Sequence, residues 1–107
     1  MTVHQLGRLA EQHLDTARSA SSARSATTLT HQGPLRQTLI ALAAGAALSE
    51  HEAPPAATLH VLAGAARLTT ADQATELTAG DHTDIPRERH ALAAVADTVV
   101  ILTVLAD

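Results

Sequence analysis

The side chains of this sequence that could do chemistry are imidazoles and carboxylates. It carries seven histidines and eleven Asp and Glu, and it has no cysteine. Thiolate nucleophiles, disulfides and zinc–thiolate sites are therefore excluded. All seven basic residues are Arg, so Schiff-base chemistry, which needs a lysine amine, is excluded as well. What remains is orienting a ligand by hydrogen bonds, moving a proton, or ligating a metal. Four of the histidines, His51, His60, His82 and His90, fall in a stretch marked out by glycines at set intervals. Gly45 is followed after five residues by His51, then by Ala53, Ala57 and Gly64. Gly80 is followed after five residues by Pro86, with His90 four positions further on. His51 lies between Glu50 and Glu52, which favour its charged form, so it reads either as a partly exposed histidine or as a pocket residue.

These residues need elements to hold them. Residues 3 to 18 place Val3, Leu6, Leu9, His13 and Leu14 on one face at helical spacing, which predicts a short amphipathic helix. The Ser/Ala stretch from Ser19 to Ser25 reads as a linker. Strand-like segments follow at 26–30, 35–42, 47–52, 58–62, 65–70, 74–77, 81–85, 91–95 and 99–105. They are separated by Gly33-Pro34, Pro54-Pro55, Gly64, Asp72-Gln73, Gly80, Pro86 and Asp97. Many short strands with such punctuation predict an antiparallel sandwich or barrel. Alanine favours helix, and propensity taken alone would make Leu39–Leu48 helical. Residues 1–24 are thus expected to form a helix and linker, and residues 25–107 a single barrel.

The spacing resembles the first signature of the cupin family, in which two histidines and a glutamate supply three metal ligands. Here His51 keeps the first ligand position, while Ala53 and Ala57 stand at the other two. The apolar VLAG at 61–64 and GDHTDIP at 80–86 extend the resemblance, and His90 stands where the family places its last ligand. The resemblance implies an all-β fold, the double-stranded β-helix or jelly-roll barrel, and a homodimer. It places His51, Ala53, Ala57 and His90 around the barrel pocket.

A first-row metal site generally needs three protein ligands. His51 and His90 make two, and Glu50 and Glu52 fall on the opposite strand face from His51. Glu88 is the one carboxylate in reach to complete the set. His60 and His82 have the wrong parity and are expected to face solvent. His4, His13 and His31 lie outside the motif. Arg87, Glu88 and Arg89 read as a solvated turn in preference to an anion-binding lip.

Two functions follow from different classes. The first is a barrel that binds a small organic molecule without a complete metal site and without a cofactor, oriented by His51 and His90. The alternative is a metal-dependent enzyme of dioxygenase, isomerase or decarboxylase type, holding Fe, Mn, Ni or Zn with His51, His90 and Glu88. The net charge of −4 and the absence of aromatic residues speak against nucleic acid as a partner. The apolar run near the end that includes Val99–Ile101 is far too short for a bilayer, so no membrane partner and a cytoplasmic location are expected.

Overall fold

The computed structural model describes residues 1–51 and 55–106, and the side chains of all of these except residues 49–51. One helix, α1 (Leu6–Ser19), precedes nine strands: β1 (Arg24–Gln32), β2 (Leu35–Leu42), β3 (Ala47–His51), β4 (Ala56–Ala63), β5 (Ala65–Thr69), β6 (Ala74–Thr78), β7 (His82–Asp84), β8 (His90–Ala94) and β9 (Thr98–Leu105). The strands make two antiparallel sheets, ordered β1-β2-β9-β4-β7 and β3-β8-β5-β6. Chain neighbours such as β3 and β4 lie in different sheets, so the chain winds between two facing layers as a jelly roll.

Alternation along each strand divides the core in two. The inward residues Ile40, Leu42, Leu59, Val61 and Val100 of the first sheet meet Ala66, Leu68, Leu77, Leu92 and Ala94 of the second. The outward residues Leu39, Ala41 and Val99 are covered by Ala17, with Leu6, Leu9, Ala10 and Leu14 of α1 packed against them. The helix is thus the lid of an apolar sheet face that would otherwise meet water.

Strand β2 occupies the predicted run 35–42, and the Ala-rich stretch 39–48 is strand and turn instead of helix, because long-range pairing overrides alanine's local preference. The helix starts three residues later than expected. Val3 lies outside it and is exposed. Its N-terminal position, Gln5, has no side-chain cap, and the His4 ring instead donates from Nε2 to the Leu29 carbonyl at 3.0 Å, tying the leading segment to β1. The linker is shorter than expected, since β1 already begins at Arg24.

Gly64 has φ +88°, and a Cβ there would run into the Asp97 carbonyl and approach Thr98 Oγ1 to 2.7 Å. The β4–β5 reversal therefore requires glycine for two independent reasons, backbone conformation and space. Among the described residues no helix is long and apolar enough to cross a membrane.

Candidate functional site

The inward-facing rows of the two sheets do not close completely. Ile40, Leu59, Ile85, Val100 and Leu102 of the first layer and Leu48, Leu68, His90 and Leu92 of the second surround a cavity of about 30 Å³. That is room for about two water molecules on the same measure. Eight of its nine lining residues are aliphatic, and the ninth is His90.

His90 opens β8 and is 4% exposed, one of two buried polar residues among those described. Its ring is oriented by the turn that precedes it: Nδ1 lies 2.9 Å from the Glu88 carbonyl oxygen. A carbonyl can only accept, so Nδ1 carries a proton and donates it to Glu88. The ring's other nitrogen, Nε2, is the atom through which a histidine held in this way hydrogen-bonds or ligates a metal. Glu88 thus serves the site through its backbone, while its side chain lies in an exposed turn with Arg87 and Arg89.

The ladder between β3 and β8 sets His51 opposite His90 across an irregularity between Leu48 and His51. The side chain of His51 and the whole of Ala53 lie outside the described residues. Ala57 is half-buried on the inner face of β4 and packs against the inter-sheet core; it is not among the residues that line the cavity. His60 and His82 stand opposite each other on β4 and β7, half-buried and exposed respectively. They alternate with the inward Leu59 and Val61, so they lie on the outer sheet face. His13 pairs with Ser25 Oγ at 2.7 Å and ties α1 to β1, and His31 is exposed.

Among the described residues no three His, Asp or Glu side chains come together in a way that would hold a metal. Ala57, where the resemblance implies a carboxylate ligand, ends in a methyl group that cannot ligate. His90 fits a metal by its tautomer. The described donor set as a whole does not.

No protein-family model and no curated protein matches the sequence. Solved structures do. A cupin superfamily protein from Desulfitobacterium hafniense superposes with a TM-score of 0.73 and 25% identity over 78% of each chain. An RmlC-like cupin from Desulfovibrio desulfuricans does so with a TM-score of 0.74 and 19% identity, over 98% of this chain and 96% of that one. This chain is a small cupin by fold. The cupin barrel also superposes on salicylate 1,2-dioxygenase from Pseudaminobacter salicylatoxidans, with a TM-score of 0.75 and 16% identity over 90% of this chain and 32% of that one.

One inward residue of this cupin was not singled out from the sequence. Arg36 lies on β2 at the same parity as Ile40 and Leu42, opposite Val104 of β9. It is half-buried, and its Nε is buried without a hydrogen-bond partner. Within an alternating strand a charged residue looks like any solvent-facing position, so no local signal marks it.

Proposed function

We propose that this cupin binds a small organic molecule of few heavy atoms in the space between its sheets, with His90 as the polar group that orients it. The observation that carries this reading is the cavity itself: aliphatic walls with one buried, backbone-oriented imidazole. Apolar lining with sparse polar groups is how proteins commonly hold small molecules, since the walls supply transfer free energy and the polar group supplies orientation. The size sets the class, because about 30 Å³ admits only a short aliphatic portion unless side chains move. The test is a methyl NMR screen of small organic molecules against the wild type and Leu92→Phe. Selective shifts of Leu68, Leu92 and Val100 methyls in the wild type are expected, with loss of binding when phenylalanine fills the space. Binding that survives Leu92→Phe unchanged would place the ligand elsewhere.

A second reading, a metal-dependent enzyme, draws support from the ladder position of His51 opposite His90. A metal would supply Lewis acidity and a template for substrate. The absence of a carboxylate at position 57 weighs against it. Elemental analysis of untagged protein after incubation with Fe, Mn, Ni or Zn tests this reading. It predicts near one metal per chain in the wild type, lost in His90→Ala; unchanged metal content in that variant would remove it.

We further propose that the barrel forms a homodimer through β1, a nine-residue edge strand whose inward positions Ala26 and Thr28 are exposed. An uncovered strand edge is a ready template for pairing with a second copy.

A further inference from the structure

We propose that the ligand is a short-chain monocarboxylate whose carboxylate is held by Arg36 while its aliphatic tail enters the cavity; this rests on the binding reading above. Four observations converge on Arg36. Its parity on β2 puts it on the inner face with the cavity-lining Ile40. Its ladder row runs from Arg36 to Val104 on β9, from Val104 to Ala57 on β4, and from Ala57 to Ile85, whose N–H donates to the Ala57 carbonyl at 2.9 Å. Ile85 lines the cavity from the far end of this rung, and the next inward rung sets the cavity-lining Leu102 opposite Thr38, two residues from Arg36.

The guanidinium is also uncompensated. Its Nε is shielded from water with no acceptor, and among the described residues no carboxylate pairs with it. The other arginines with described ion pairs, Arg18 and Arg67, each have an acid within 3 Å. Nor does its neighbour on β1 relieve it. The bulge between Thr28 and Thr30 changes the parity of β1 so that His31 faces Arg36 in the ladder, and histidine is no counter-ion for arginine.

A shielded donor without an acceptor is costly, and a cation half out of water raises that cost. An incoming carboxylate would satisfy Nε and a terminal nitrogen together, in the two-pronged geometry that suits arginine. The apolar cavity beyond selects an anion with a hydrocarbon end over a fully hydrated one, and its volume limits that end to about two carbons. Arg36 and His90 then have separate roles, with Arg36 holding the anionic head at the rim and His90 presenting the cavity's polar atom.

The experiment is an NMR titration of the full chain with propionate, propionamide and inorganic phosphate, repeated with Arg36→Met and accompanied by thermal melts. Propionate is expected to shift cavity methyls and Arg36 Nε–H together and to bind at least tenfold more tightly than propionamide or phosphate. Arg36→Met should lose that preference and melt at the same or a higher temperature, because an unpaired cation is exchanged for an apolar chain of similar length. Equal binding of propionate and propionamide would overturn the anchor while leaving the cavity reading in place. Phosphate binding as well as propionate would overturn the role of the tail, and so would unchanged propionate affinity in Arg36→Met overturn the role of Arg36. No shift of cavity methyls by any probe would overturn this proposal, and failure of the wider screen as well would remove the binding reading with it.

Discussion

Thr98 shows how one hydroxyl can join two sheets. It is fully buried at the start of β9, and its Oγ1 lies 2.9 Å from the Ala65 carbonyl and 2.7 Å from the Ala96 carbonyl, while the Ala65 N–H donates to it at 3.2 Å. One hydroxyl proton serves one carbonyl at a time, so the two carbonyls share it. The contact fastens β5 of one layer to β9 of the other beside Gly64, where backbone approach is closest. Thr98→Val keeps the shape and strands the Ala65 N–H, which costs about 1–3 kcal/mol. The expected fall in Tm is on the order of 10 °C, with Thr98→Ser falling much less because it keeps the hydroxyl. Equal melting temperatures for wild type and Thr98→Val would show that the hydroxyl contributes nothing to the join.

At the scale of elements, the helix is held at its C-terminal end by an acid that belongs to another part of the chain. Asp97, in the turn before β9, accepts from Arg18 Nε at 2.7 Å through one oxygen and from the Ala44 N–H at 2.9 Å through the other. The Ala44 amide above all, and then the Arg18 guanidinium, hold its carboxyl below the ordinary value of 3.8. A group with a lowered folded-state pKa contributes stability that is complete above its unfolded value and is lost as pH falls through the folded one. The wild type is therefore expected to lose Tm from about pH 4 downward more steeply than Asp97→Asn, and the two curves should run parallel above pH 5. The exposed position of the pair makes the effect small and salt-sensitive. Parallel curves throughout would show that the Asp97 contacts do not distinguish its charged form.

The whole molecule decides which faces remain open. Helix α1 covers the outward apolar row of β2 and β9, the two layers cover each other, and β1 is left at an edge. If β1 pairs with a second copy, light scattering will give twice the chain mass at micromolar concentration. Lysine or proline placed at Thr28 on that edge will reduce it to the single-chain mass without lowering the Tm of the barrel. A single-chain mass for the wild type would remove the dimer.

Much of this architecture was legible because strand ends are local events. Gly64, Gly80 and Gly33-Pro34 punctuate the chain at three of its turns, and the interval Gly80–Pro86 precedes the strand that His90 opens. What only the tertiary structure decided depends on residues far apart in sequence. Period-two alternation says that Arg36 and Ile40 share a face, but that Arg36 has no carboxylate beside it follows from which side chains β9, β4 and β1 bring to its rung. Helical spacing marks the apolar stripe of α1, but not the His4–Leu29 hydrogen bond that ties the segment before it to β1, between residues 25 apart in sequence. The cavity is likewise a remainder, the volume that leucine, isoleucine and valine side chains from two layers fail to fill. Composition cannot reveal such a remainder, because packing density is a property of the assembled layers and not of any strand alone.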